Sequence, residues 1–534
     1  MLTFAKICMV SLVAVLARWC VSLGDYSGAG KPPMFGDYEA QRHWQEVAVN
    51  LPVQEWYKNS SRNDLMYWGL DYPPLTAYHS YLCGLVAKYL KPDWVALNIS
   101  RGYESYEHKL FMRYSVLLVD VFIFFPAVYW TFAARKPHLT DQDASVKSYL
   151  LMLLYPGLIL IDYGHFQYNC VSLGLALLAV TSLATNHDVL GSVLFCLALN
   201  YKQMELYHAM PFFCFLLGTC LRDIRRGGFW RLVQIGLAVL ATFATCWAPF
   251  LLDLDTAKQV LNRLFPFARG VFEDKVANVW CSLSVLIKWK QMMTLEQILK
   301  LCLCVTGACL LPSSVDLLCR PSFTKFRYAL VNSSLVFFLF SFQVHEKSIL
   351  IPALIVCTLI PDCPFWCFWF LQMSTFSMLP LLIKDGQLVP YIAFMLLYPL
   401  LFNAFNPIRP DTAPPTDTQV WVNIFVTLAF CISCVGQVFL SLALVIFPPP
   451  AGLPDLFPLV ISVFSCAHFL LFAAYFHYCQ FTAGISVDHS HKTKAANGKH
   501  SKTFSKAMNK ATVENTTKHK SLANKLKLRK KKHD

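Results

Sequence analysis

Charge is scarce in this chain. Only 15% of its 534 residues are Asp, Glu, Lys or Arg, while 56% are apolar. A soluble chain of this length would divide into roughly three or four domains, each needing a charged surface. The scarcity excludes that arrangement. Also missing are the alternating segments of about 10 residues that a membrane β-barrel requires. No internal repeat of the kind that builds many transporters is visible. The 20 cysteines form no disulfide framework. Most sit in apolar runs such as "LCLCVTGACLL" and act there as small apolar residues.

A basic core is absent as well. The formal net charge is +14, but residues 486–534 hold 14 Lys and Arg against three acids and so carry +11, which leaves the rest near +3. The basicity belongs to a polar tail expected to be disordered, and no nucleic-acid partner is implied.

What the chain does have is long apolar runs. About 18 largely apolar residues suffice to cross a bilayer, and runs such as "SVLLVDVFIFFPAVYWTFAA" (115–134) recur. The pattern predicts an all-α, polytopic transmembrane protein with about 14 spans, near 4–23, 114–132, 148–161, 168–185, 189–201, 206–221, 232–252, 298–318, 328–343, 348–361, 364–383, 387–403, 420–446 and 456–479. The organisation expected is a first transmembrane helix (1–23, retained rather than cleaved), a long first loop (24–113), a transmembrane catalytic module with polar motif loops (114–361), C-terminal transmembrane helices (362–479) and the basic tail (480–534).

Basic loops orient such a stack. "ARKPH" (134–138), "RDIRRGGFWR" (222–231) and "RPSFTKFR" (320–327) all fall on the cytosolic side if the N-terminus is cytosolic, and an even span count puts the tail there too. The opposite face then collects the first loop, "DYGHFQYN" (162–169), "NYKQMELYH" (200–208), the loop 253–297 and "QVHEKS" (343–348). Nearly every polar cluster outside the tail lies on that one face, which points to a functional site there.

Each cluster has a structural and a chemical reading. In "MFGDYEAQRHW" (34–44), Ala40, Trp44, Val47, Ala48 and Leu51 recur at helical spacing. An amphipathic helix along the membrane surface is predicted from about Tyr38. Asp37 stands where an N-cap belongs, with Glu39 in the first turn. Alternatively Asp37 is a carboxylate held at the membrane edge as a general base, which requires a lone pair open to the acceptor. In "WGLDYPPLTAYHS" (68–80), Asp71 is either punctuation before the double proline or a second candidate base. His165, Gln167 and Asn169 offer donors and acceptors at membrane depth. Lys202, Glu205 and His208 follow at three-residue steps, as an internal Lys202–Glu205 pair or as site residues. In "QVHEKS", which packs His345, Glu346 and Lys347 together, His345 and Lys347 suit a phosphate near the bilayer surface, against a lysine that merely snorkels.

The remaining features carry less. Two DxD spacings, Asp141/Asp143 and Asp253/Asp255, are too isolated to imply a metal. Asp120 is mid-span and is expected to bond a neighbouring helix or face a cavity. Sequons at Asn59 and Asn98 fall in the first loop, and Asn515 falls in the tail. The chain ends "KKHD", where Lys531 and Lys532 either resemble a dilysine retrieval signal of the endoplasmic reticulum or simply end the tail.

Taken together, "GDYEAQRHW", "NLPVQEWY", "YWGLDYPPLTAYHS", "SRGYESYEHKLFMR", "GHFQYN", "NYKQMELYH" and "FQVHEKS" resemble the glucosyltransferases of the dolichol pathway, over residues 34–351. The resemblance implies a fold of the GT-C class, a dolichyl-phosphate-glucose donor, a lipid-linked oligosaccharide acceptor, inversion at the sugar carbon, and neither metal nor other cofactor. It implies a multi-pass protein of the endoplasmic reticulum membrane with a lumenal active site and cytosolic termini. It carries the catalytic aspartate of the first loop to Asp37, with Asp71 as the alternative. It suggests His345, Lys347, Lys202 and His165 for the leaving phosphate, and Glu39, Arg42, Tyr72, Gln167, Asn169 and Glu205 for other substrate contacts. "EAQRHW" and "DYPPLTAYHS" look like members that add a first glucose, in α-1,3 linkage, to a nine-mannose acceptor. Members adding the second have aromatics where this chain has Leu75, Thr76 and Ala77. A transporter, a scaffold subunit of a glycosylation complex and a dolichyl-phosphate-mannose-dependent transferase are the competing readings.

Overall fold

In hydrocarbon every backbone amide and carbonyl must find its partner within the chain, so spanning segments form helices. The computed structural model describes residues 2–134, 142–265, 275–410 and 417–484. Among them all extended regular structure is helical, and the only β-pairing is one bridge between Ser60 and Asn63. Asp141, most of the loop 134–138, Asn515 and the terminal lysines lie outside the described residues. Residues 1–477 make up one compact unit. Of the second, 478–534, only the end of the helix Leu456–Thr482 and two further residues are described.

Every expected span coincides with helix. Among the described residues nine helices are long and apolar enough to cross a membrane, beginning with Phe4–Ser22 and ending with Leu456–Thr482. The expected count of about 14 is therefore not reached on length and composition. The other five segments include helices of 10–16 residues: Asn169–Ala184, Asp188–Tyr201, Leu350–Leu359 and Pro364–Ser377. At 1.5 Å per residue these fall short of a core about 30 Å thick. Leu350–Leu359 is buried at every residue. It fills the centre of the bundle rather than facing lipid. The outer helices do the reverse: Leu237, Leu240, Leu311, Val389 and Leu400 are exposed, as lipid-facing side chains must be.

The charged groups Arg18 and Asp120 inside the bundle are paired. Arg18 Nε donates to Asp120 Oδ2 at 2.6 Å, Tyr163 Oη donates to the same oxygen at 2.6 Å, and Arg18 Nη1 reaches the Leu153 carbonyl at 2.8 Å. Asp120 thus bonds neighbouring helices, the first of the two roles expected for it. The DxD pair at Asp253 is equally structural. Asp253 caps the helix Leu254–Leu264, accepting from the amides of Asp255 and Thr256.

The first loop is a packed layer. Its helix Asp37–Asn50 has no exposed polar face of the kind its amphipathic periodicity suggested; residues 38–48 are buried throughout. The helix Pro74–Leu90 crosses so closely that a Cβ on Gly84 would stand 2.7 Å from the Gln45 carbonyl oxygen. The polar face that looked solvent-bound turns inward because it satisfies itself. Arg42 donates to Glu39 through Nε and Nη2 at 2.7 Å each, to Glu46 at 2.7 Å and to Ser100 Oγ at 2.6 Å. Tyr67 Oη donates to Glu39 and the Asn98 amide to Glu46. Removing one member of a buried ion cluster strands the others, at about 3–5 kcal/mol. Arg42→Met should therefore lower the melting temperature in detergent sharply, whereas unchanged melting would show that the cluster does not hold the loop.

Candidate active site

The helix Asp37–Asn50 begins at Asp37, not at Tyr38. Gly36 is its N-cap, and no side chain caps it. Asp37 is therefore the first helical residue, with its carboxylate free to point elsewhere. The preceding loop closes tightly on itself: Gly28 has φ +76°, and a Cβ there would fall 0.6 Å from the Phe35 carbonyl oxygen. The loop is tied below by the Ser27 amide, which donates to the His165 carbonyl at 3.0 Å.

Two elements aim donors at one oxygen of Asp37, and a third backs His165 from behind. The first is a π-helical turn, Leu160–Phe166, at the end of a membrane helix. Its wide turn ends at Phe166, which holds φ +87°, and Gln167 is extended. Such a backbone is strained for a side chain other than glycine and clusters at functional sites. Here it reverses the chain so that His165 and Gln167 both face Asp37. His165 Nε2 lies 3.0 Å from Asp37 Oδ2, and Gln167 Nε2 donates to the same oxygen. The second element is the short 3₁₀ turn Glu346–Ile349, which follows Gln343 at φ +54°. From it Lys347 Nζ donates to Asp37 Oδ2 and lies 3.4 Å from His165 Nε2. The third lies between the helices Leu379–Lys384 and Leu388–Phe405, where Asp385 Oδ2 meets His165 Nδ1 at 2.6 Å.

The electrostatics follow. Burial alone would raise the Asp37 carboxyl, but the Lys347 and His165 charges outweigh it and hold the group well below the usual carboxylate range. Asp37 is ionised and anchored by Oδ2. Its side chain retains 22% exposure, and Asp37 lines a cavity of about 1170 Å³. That exceeds the usual range for a drug-sized ligand.

Most of the expected residues meet in that cavity. Asp71, Tyr72, His165, Gln167, Asn169, Lys202, Glu205, His345 and Lys347 line it along with Asp37. Asp162 accepts from Asn169 Nδ2 at 2.7 Å, and Asn169 Oδ1 accepts from Lys202 Nζ at 2.5 Å, which holds the ammonium toward the cavity. Burial and the charge of Lys347 push the Lys202 ammonium below its ordinary range. The internal Lys202–Glu205 pair gives way to this arrangement: Glu205 pairs with His208 at 3.0 Å instead. Glu39 and Arg42 do not reach the cavity; both are spent in the ion cluster. The reason is helical phase. Positions 37, 40, 41 and 44 face the cavity, while 39, 42 and 46 lie on the other side. The far wall is apolar, with Leu299, Leu303, Phe337 and Leu350.

Asp385 is the residue that the motifs did not single out. Its signal was a short polar break, "KDGQ", between two apolar runs, which reads as an ordinary turn.

A carboxylate with one oxygen anchored, lysines beside it and an apolar wall can accept a proton next to an anionic, lipid-linked group. Comparison with known proteins gives the family. The model of the ALG6, ALG8 glycosyltransferase family matches residues 11–475. A chicken (Gallus gallus) protein named dolichyl pyrophosphate Man9GlcNAc2 alpha-1,3-glucosyltransferase is 53% identical over 481 residues, covering 87% of this chain and 94% of its own. The mouse (Mus musculus) protein of that name is 50% identical over 487 residues, covering 88% and 95%. A Drosophila melanogaster protein with the same name marked as probable is 45% identical over 484 residues, covering 90% and 100%. On a match that runs through nearly every membrane helix and every motif of the cavity, the chain belongs to the ALG6, ALG8 glycosyltransferase family.

Proposed function

We propose that this protein transfers glucose from dolichyl-phosphate-glucose to the terminal mannose of lipid-linked Man9GlcNAc2, forming an α-1,3 bond with inversion, at the lumenal face of the endoplasmic reticulum membrane. The names and identity of the relatives support the acceptor and the linkage. The observation that carries the chemistry is Asp37: Oδ2 holds three partners, and the side chain stays partly open to a cavity walled by lysines and leucines.

In this reading the mannose 3-hydroxyl attacks the glucosyl carbon from the face opposite the phosphate. As an oxocarbenium-like state develops, Asp37 takes the hydroxyl proton and the carbon–oxygen bond to phosphate breaks. The leaving phosphate needs positive partners rather than a proton. Lys347, Lys202 and His345, which line the cavity, are the candidates to supply them. Asp71 remains the alternative base, since it lines the same cavity. Gln167, Asn169, Tyr72 and Glu205 are left as sugar contacts, and Glu39 and Arg42 pass to structural roles.

Purified protein in detergent, given dolichyl-phosphate-glucose and the nine-mannose acceptor, should form product at the same rate with and without a chelator. Loss of product with chelator would bring a metal into the mechanism. Product with dolichyl-phosphate-mannose but not with the glucosyl donor would overturn the donor assignment.

A further inference from the structure

His165 stands between two carboxylates. Its Nε2 lies 3.0 Å from Asp37 Oδ2 and its Nδ1 lies 2.6 Å from Asp385 Oδ2. A neutral imidazole carries one N–H. It can donate to one carboxylate only, and would turn a lone pair on the other. Satisfying both requires both ring protons. That places a cation 3.4 Å from Lys347 Nζ, and Asp385 is the charge that offsets it.

The turn that carries Asp385 is fastened to the loop that carries Asp37. Gly386 follows at φ +72°, Gln387 Nε2 donates to the Asp25 carbonyl at 2.6 Å, and Lys31 Nζ donates to the Lys384 carbonyl at 2.7 Å. Gln387 is wholly buried, and Asp385 is 5% exposed. The imidazole is therefore clamped from the side remote from Asp37, by a segment 220 residues away in sequence.

We propose that Asp385 is a positioning residue: it holds the His165 ring as a double donor, so that Nε2–H occupies Asp37 Oδ2 and leaves the other carboxylate oxygen for the acceptor hydroxyl. No proton passes to Asp385. The acceptor O–H bond breaks, its proton goes to Asp37, and the electron pair of the bond forms the new bond to the sugar carbon. The inference rests on Asp37 being the proton acceptor. It adds a carboxylate from the C-terminal helices to catalytic groups otherwise drawn from residues 37–347.

Two measurements test it. The first compares wild type, Asp385→Asn, Asp385→Glu, His165→Gln and the Asp385→Asn/His165→Gln double variant, each checked for melting temperature. Removing the carboxylate that orients a histidine costs about 10–100-fold where the ring binds a metal and up to about 10⁴-fold where it moves a proton; here, where the ring only donates, a loss of at least about 10-fold is expected in kcat, with the KM for the sugar donor nearly unchanged. Asp385→Glu should recover part of it. In the His165→Gln background Asp385→Asn should cost no more than about twofold, the scatter expected of independent sites. The full single-variant loss in that background, or a loss confined to melting or KM, would overturn the proposal. The second measurement needs no turnover. Nitrogen NMR of histidine-labelled protein at neutral pH should show a doubly protonated ring for His165, identified by its absence in His165→Gln. That signal should become a single neutral tautomer in Asp385→Asn. A neutral ring in wild type would overturn the proposal even if glucosyl transfer is found. A doubly protonated ring in an inactive wild type would leave it standing and remove the proposed reaction instead.

Discussion

Asp37→Asn is expected to lower kcat by about 10²–10⁴-fold, the usual worth of a positioned general base, while acceptor binding and melting temperature change little. The amide keeps the shape. Its oxygen can still accept from His165, Gln167 and Lys347, the three partners of Oδ2. It cannot take a proton. Full activity in this variant would move the base to Asp71. The pH profile gives a second check. The Asp37 carboxyl is held below the usual range, so its ionised form persists as pH falls through the ordinary carboxylate value of about 3.9. By the same sign, its contribution to stability is present above that value and is lost only as pH falls toward the depressed folded value. Wild-type kcat/KM should show no acid limb from Asp37 between pH 5 and 8. A limb centred in that window would belong to another group.

How much of this was legible in the sequence depends on the residue. Asp37, His165, Gln167, Lys202 and Lys347 sit in short polar motifs surrounded by apolar runs, and the cost of placing such groups at membrane depth made them stand out. Glu39 and Arg42 stand in the same motif as Asp37 yet point away from the cavity. Periodicity marked the helix but not which face would be covered. That was decided by Ser100, Tyr67 and Asn98, up to 58 residues away, whose hydrogen bonds satisfy the inward face. The capping role open to Asp37 failed for a related reason: Gly36, at φ +114°, takes the cap position and frees the carboxylate. Asp385 was illegible because a charged turn between two apolar helices is the commonest thing a membrane protein contains. Its meaning lies wholly in the 2.6 Å contact with His165. The fold class was plain from hydropathy. The span count was not, since buried apolar helices such as Leu350–Leu359 carry the same composition as lipid-facing ones.

Lys347 should show the second large effect, and its variant separates two roles that geometry gives it. Its ammonium contacts Asp37 and reaches within 3.4 Å of His165, on the cavity wall where a leaving phosphate would stand. Lys347→Met keeps the stem and removes the charge. Loss of one preorganised partner for developing charge costs about 10²–10³-fold in kcat. Lys347→Arg should recover only part, because a planar fork replaces a compact point charge. The same deletion also acts on Asp37. Lys347 is the foremost group holding that carboxyl down against burial, which pushes it up. Without it the carboxyl rises, so the residual activity of Lys347→Met should fall at acid pH where wild type stays flat. This resolves an apparent conflict, since a carboxylate held so low is a weak base in the resting protein. In the proposed reaction an arriving phosphate would compete for the same ammonium and draw it from Asp37. The base would then strengthen only when the sugar donor is bound, which ties proton removal to an occupied site. A Lys347→Met profile as flat as wild type would show that the lysine serves the phosphate alone.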